Sequence, residues 1–180
     1  MSTKVALVTG ASSGIGAASV RALIQDGWTT YATGRRAEGL NTFVAEGIPT
    51  LLLDVTDASS MAAAVAQIEA THGTVDLLVN NAGYGLNGPV EELSVADIRQ
   101  QFETNVFGLV RMCQLVLPGM RRKGSGRIIN VGSIGGTFTA PGAGAYHASK
   151  WAVESFTDAL RFEVASFGIA VILIQPTGVY

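Results

Sequence analysis

The sequence predicts an α/β protein: a doubly wound parallel sheet with helices on both faces. Three observations lead there. Short apolar runs of strand length alternate six times with segments of helical periodicity along the 180 residues. A glycine-rich turn, Gly10-Ala11-Ser12-Ser13-Gly14-Ile15-Gly16, joins the first run to the first periodic segment. The polar residues that stand out fall just past the carboxyl ends of the runs, where a sheet of this kind binds its ligands.

Composition agrees with one soluble domain over residues 1–180. With 48% hydrophobic and 14% charged residues the chain can fill a sizeable core, and two domains would be cramped. A net charge of -2 gives no electrostatic reason to bind nucleic acid or an anionic membrane. The longest wholly apolar run, residues 169–174, is of strand length and far short of a membrane span. Residues 1–4 lead straight into the first strand, so no targeting signal is expected and a reducing cytoplasm is the expected location. Cys113 is the only cysteine and lies in an apolar helical pattern, which predicts a packed thiol.

The first strand is residues 4–8. The glycine turn follows, then a helix carrying Ala17, Val20 and Leu23 that Gly27 closes. Strand, glycine turn and helix in that order let the backbone approach a phosphate and offer it the free N–H groups of a helix start; the alternative is an ordinary glycine turn. Residues 29–33 form the second strand and deliver Gly34-Arg35-Arg36. An acid here would suit a ribose hydroxyl, whereas Arg35 and Arg36 suit a 2'-phosphate and so NADP rather than NAD, unless they are simply a solvated turn.

Residues 37–46 are weakly helical, and residues 50–53 form a third strand ending at Asp54, which either accepts from an adenine amino group or caps the next turn. Asp57 caps a helix over residues 60–71 that ends at Gly73. Residues 75–79 make the fourth strand and run into Asn80-Asn81-Ala82-Gly83, with Asn80 bracing the scaffold and Ala82 and Gly83 allowing close approach of a cofactor.

After a loop over residues 84–92, Ser94-Val95-Ala96-Asp97 opens a long helix in capping-box manner. Its stripe of Ile98, Phe102, Val106, Leu109, Met112 and Cys113 reads as core or subunit interface. Asn105 interrupts that stripe and needs polar partners, as a structural clamp or as part of a proton path. Pro118 bends or ends the helix, and the basic run Arg121-Arg122-Lys123 suits its carbonyl end better than it suits a phosphate.

Residues 127–131 form the fifth strand and deliver Ser133. A glycine-rich connection leads to a helix over residues 146–167, with Ala152, Phe156, Ala159 and Leu160 in register and Trp151 and Phe162 expected to pack. Residues 169–174 are the sixth strand. In Tyr146-x-x-x-Lys150 the two side chains share a helix face with a rise of roughly 6 Å between them. A cation there would favour the phenolate of a group that is otherwise too weak an acid at neutral pH, and Ser133 could hold a carbonyl or hydroxyl oxygen beside it. His147 points about 100° away around the helix and is expected to take no part.

Taken together, Thr9-Gly10-x-x-x-Gly14-x-Gly16, Asp54, Asn80-Asn81-Ala82-Gly83, Asn105, Ser133 and Tyr146-x-x-x-Lys150 resemble the short-chain dehydrogenase/reductase family in order and spacing over essentially the whole chain. The resemblance implies a Rossmann fold and hydride transfer between a nicotinamide and a carbonyl or alcohol carbon. It implies Tyr146 as general acid and base and Ser133 as the holder of the substrate oxygen. Lys150 would tune the phenol and hold the nicotinamide ribose, and Asn105 would keep a relay water. The cofactor site it implies comprises Gly10, Ser12, Ser13, Gly14, Ile15, Gly16, Arg35, Arg36, Asp54, Val55, Asn81, Ala82, Gly83, Tyr146, Lys150, Pro176, Gly178 and Val179, with NADP(H) preferred over NAD(H) on account of the two arginines.

A homodimer or homotetramer through the long helices and no metal are also implied. Two departures stand against the pattern. The sequence stops before the family's C-terminal strand and substrate-lid segment, so a fragment of a longer chain is expected, and the family's Pro-Gly is replaced by Pro176-Thr177-Gly178, with Val179 left as the candidate contact to the nicotinamide amide. The expected substrate is a hydrophobic ketone or alcohol. The competing reading is a nucleotide-binding sensor or scaffold without turnover, which would have no use for an activated phenol.

Overall fold

The computed structural model describes residues 4–177. Six strands, β1 (Val5–Val8), β2 (Thr29–Gly34), β3 (Thr50–Leu52), β4 (Leu77–Asn80), β5 (Gly126–Val131) and β6 (Ile169–Ile174), form one parallel sheet in the order β3-β2-β1-β4-β5-β6. All four residues of β1 and of β4 are buried, as expected of central strands covered on both faces. The chain winds outward from β1 to β3, crosses back, and winds outward again from β4 to β6. The strand order therefore reverses between β1 and β4, and their two exits part to leave a crevice.

The helices are α1 (Gly14–Gln25), α2 (Asn41–Ala45), α3 (Ala58–His72), α4 (Val95–Phe102), α5 (Gly108–Lys123) and α6 (Gly144–Val164). Val20 of α1 and Phe43 of α2 pack with Ala6, Val8, Ala32 and Val79 on one face of the sheet. On the other face Met61 and Ile68 of α3, Met112 and Val116 of α5 and Val153 of α6 pack with Leu7, Leu78, Ile128 and Val171. The Asp57 side chain caps α3, accepting from Ser59 N at 2.8 Å and Ser60 N at 3.2 Å; the bonds to Ser59, followed by Ser60, hold its carboxyl below the usual range. Ser94 Oγ accepts from Asp97 N at 3.0 Å, the expected cap of α4. No helix among the described residues is long and apolar enough to cross a membrane.

Three local expectations change. Pro118 lies inside α5 without ending it, because Leu117, Gly119 and Met120 are buried around it and their packing offsets the roughly 3 kcal/mol a mid-helix proline costs. The long helix is interrupted by a π-helical turn, Glu103–Phe107, centred on Asn105. Finally, α6 buries Lys150, Val153, Thr157 and Val164; of the expected stripe Leu160 packs against this core, but Phe156 is 45% exposed, as are Trp151 at 49% and Phe162 at 82%. This helix has two apolar stripes, and contact with β5 and β6 selects the less bulky one. Asn80 and Cys113 are scaffold: Asn80 Nδ2 donates to Asn130 Oδ1 at 3.0 Å and to Cys113 Sγ at 3.3 Å, and burial pushes the thiol up to about 12.

Candidate active site

The crevice at the strand exits has a volume of about 740 Å³. One wall is the turn after β1, contributing Gly10, Ser12, Ser13, Gly14 and Ile15; the other is the turn after β4, contributing Asn81, Ala82 and Gly83. The two turns touch. A Cβ on Gly10, whose φ is +64, would stand 2.8 Å from Ala82 Cα, and one on Gly16 would stand 2.4 Å from Asn81 Nδ2. Asn81 closes the joint with Nδ2, which donates to the carbonyls of Thr9 (3.0 Å) and Gly10 (2.9 Å), while Thr9 Oγ1 accepts from the backbone of Asn81 and Ala82. Gly16 is thus buried behind the wall as packing, and Thr9 is a bracing residue that the glycine pattern alone does not single out.

Helix α1 begins at this crevice with no side chain capping it, unlike α3 and α4. Its first N–H groups are open to a ligand, and Gly14, at φ +54, leaves the space above them empty. Beyond Ser12 a second recess is lined by Arg35, Arg36, Glu38 and Gly39. Arg35 borders both recesses, whereas Arg36 reaches only the second. These are the donors that a dinucleotide pyrophosphate and a nearby phosphomonoester require, so the residues present fit such a cofactor. Glu38 on the rim is a carboxylate that the sequence pattern gave no reason to place there.

Asp54 does not line the crevice. Its Oδ1 accepts from Thr56 N at 2.9 Å and Thr56 Oγ1 at 2.8 Å, the capping alternative, and the wall here is Leu53 and Val55.

At the other end Ser133, Tyr146, Lys150 and Pro176 come together. Ser133 is buried at the exit of β5, where its Oγ accepts from Gly135 N at 3.1 Å. Lys150 Nζ lies 5.8 Å from the centre of the Tyr146 ring and donates to Val131 O at 2.9 Å; burial pulls its pKa down to about 8. His147 is buried away from the crevice, with Nδ1 2.6 Å from Phe138 O. Gly178 and Val179 lie outside the described residues.

Asn105 is a clamp. Its Oδ1 accepts from Tyr84 N at 3.0 Å, and its Nδ2 donates to Tyr84 O at 2.9 Å and to Ser149 Oγ at 3.1 Å. These bonds engage the side-chain amide and tie the π-helical turn to the loop after β4 and to α6. Gln101, one turn earlier and fully buried, adds a bond from Nε2 to Tyr84 O at 3.0 Å. Tyr84 and Gly85 line the crevice beside Tyr146; neither Tyr84 nor Gln101 belongs to a recognisable motif.

Comparison with known proteins places this architecture. The family model described as short chain dehydrogenase matches residues 4–180. The chain is 42% identical over 177 residues to a 3-ketodihydrosphingosine reductase of Bacteroides thetaiotaomicron, covering 98% of this chain and 64% of that protein. A solved short-chain dehydrogenase from Streptomyces avermitilis superposes with a TM-score of 0.96 at 42% identity, over 100% of this chain and 67% of that one. A variant of actinorhodin polyketide ketoreductase solved with NADPH superposes with a TM-score of 0.94 at 38% identity, over 98% and 71%. The chain therefore spans about two thirds of the length of these relatives.

Proposed function

The chain belongs to the short-chain dehydrogenase family, and we propose that it is an oxidoreductase that moves a hydride between NADP(H) and a carbonyl or secondary alcohol, most suitably a hydrophobic one. The observation that carries this reading is the convergence of Ser133, Tyr146 and Lys150 at one end of a crevice whose other end is an uncapped helix start beside Arg35. A bound nicotinamide supplies or accepts the hydride.

The chain's own residues do the rest. Gly10, Ser12, Ser13, Gly14 and Ile15 hold the pyrophosphate, with Gly16 as the close-packed support. Arg35 and Arg36 hold the 2'-phosphate, and Leu53 and Val55 bound the adenine side. Asn81, Ala82 and Gly83 form the second wall, and Pro176 bounds the nicotinamide end. Ser133 Oγ donates to the substrate oxygen. Tyr146 gives its phenolic proton to that oxygen in reduction and takes it back in oxidation. Lys150 brings positive charge beneath the ring, and Asn105 acts as a positioning residue through Tyr84. The NADPH bound by the actinorhodin ketoreductase supports the cofactor choice.

Residues 1–180 form a single dinucleotide-binding domain that also carries the reacting side chains, and the protein works in the cytoplasm. The exposed Phe107 on the turn before α5 and the exposed Trp151 and Phe156 on α6 supply a self-association surface for a homodimer or homotetramer.

Following NADPH absorbance across a panel of ketones and aldehydes tests the reading. Turnover with a hydrophobic ketone is the expected result, with Tyr146→Phe slower by orders of magnitude while still binding NADPH. Tight NADPH binding without loss of absorbance for any carbonyl would instead identify a nucleotide sensor.

A further inference from the structure

The short helical turn that follows Ser133, Ile134–Gly136, lies across one face of α6. His147, Lys150 and Glu154 recur along that face at the i, i+3, i+7 spacing of a helix. A Cβ on Gly135 would stand 3.1 Å from His147 Nε2. One on Gly136 would stand 2.8 Å from Glu154 Oε1 and 3.1 Å from the Lys150 carbonyl oxygen, and one on Gly132 would stand 3.4 Å from the same Glu154 oxygen. Glycines on both sides of Ser133 thus let the turn settle onto α6, and the Glu154 carboxylate sits where the two sides meet.

That oxygen also accepts a hydrogen bond from Gln175 Nε2 at 2.8 Å. Gln175 leads into Pro176, whose carbonyl accepts from Ile134 N at 3.1 Å, while Gly132 N donates to Ile174 O at 2.8 Å. Three segments are therefore closed around one carboxylate oxygen: the helix that carries Tyr146 and Lys150, the turn that carries Ser133, and the exit of β6 that carries Pro176. Ser133, Tyr146, Lys150 and Pro176 line the crevice, and Glu154 does not. The bond is exposed on the Gln175 side and contributes little to stability, but Glu154 is half-buried beside Gly132 and Gly136, so its consequence is where the turn sits on α6.

We propose that Glu154 is a positioning residue, held by Gln175, that sets where the Ser133 hydroxyl and Pro176 stand relative to Tyr146. It touches neither substrate nor cofactor. Removing its carboxylate frees Gln175 and opens a gap between turn and helix, so the Ser133 hydroxyl shifts away from the phenol. Displacement by about 1 Å is enough to cost on the order of a hundredfold in rate. The kinetic part rests on the hydride-transfer reading above; the positional part does not.

The test uses the full chain with Glu154→Ala, Glu154→Gln, Gln175→Ala and the double alanine variant. Expected are a fall in kcat of about tenfold or more for Glu154→Ala and a similar fall for Gln175→Ala, with the double variant no worse than either single one. Glu154→Gln keeps an acceptor for Gln175 and is expected to recover most of the parent kcat. Affinity for 2',5'-ADP, which reports only the distant end at Gly10 and Arg35, is expected to be unchanged throughout. NADPH emission on binding, which reports the nicotinamide end without any turnover, is expected to shift in Glu154→Ala and to return to the parent spectrum in Glu154→Gln. Parent-like kcat and emission in Glu154→Ala, or a glutamine variant as impaired as the alanine one, would overturn the proposal. A parent that reduces no carbonyl defeats the functional reading alone, and the emission comparison then decides the role of Glu154 by itself.

Discussion

Asn105 and Tyr84 hold each other through a reciprocal pair of hydrogen bonds, Tyr84 N to Asn105 Oδ1 at 3.0 Å and Asn105 Nδ2 to Tyr84 O at 2.9 Å. The pair mimics two rungs of a strand ladder, made by a side chain in place of a second backbone. It fixes the loop after β4 to the π-helical turn between α4 and α5, and the crevice wall beside Tyr146 depends on it.

Asn105→Ala leaves Tyr84 N and Ser149 Oγ without this partner, while Gln101 still serves Tyr84 O. The expected loss is about 1–3 kcal/mol of unfolding free energy, measured by urea titration, together with a fall in kcat that exceeds any change in NADPH affinity. A variant as stable as the parent would show the clamp to be ornamental.

Arg35 and Arg36 predict the cofactor preference. The double change Arg35→Asp with Arg36→Ala is expected to invert the ratio of kcat/KM between NADPH and NADH, because the phosphate loses its cations and the ribose hydroxyl gains an acceptor. Steady-state kinetics with both cofactors checks this, and an unmoved ratio removes the arginines from recognition.

Lys150 ties stability to pH. Burial brings its pKa from the ordinary 10.5 down to about 8. Between those values the unfolded chain keeps a proton that the folded one gives up, so this residue makes stability rise with pH across that window. Below pH 8 its cost is fully present, at most about 3 kcal/mol. Lys150→Met is therefore expected to unfold at higher urea than the parent at neutral pH, with the advantage shrinking toward pH 10.5. A pH-independent difference would contradict this.

Gly16→Ala places a methyl group where Asn81 Nδ2 and Gly10 O stand, each 2.4 Å from the ideal Cβ position. Backbone has to move, so the two crevice walls separate. A fall in NADPH affinity of at least tenfold is expected by fluorescence titration, accompanied by a lower Tm. Gly14→Ala meets no atom within 4 Å, and its penalty comes from the positive φ alone.

Much of the molecule was legible along the chain. The six strands, the caps at Asp57 and Ser94 and the glycine turn are local: each follows from sterics and hydrogen bonding within a few residues, which a linear pattern records. The placement of Ser133, Tyr146 and Lys150 at one end of the crevice followed as well, since a parallel sheet brings strand exits to one edge whatever the loops do.

What the tertiary structure decided are the partnerships made across long separations. Asn105 became a clamp because the backbone of Tyr84, far from it in the chain, was the partner within reach, and an amide in a sequence does not name its partner. The choice of Val153 over Phe156 as the buried side of α6 was likewise made by the space left beside β5 and β6. Amphipathic patterning determines that a helix has an apolar face; when it has two, only the volume of the neighbouring elements determines which one the core accepts.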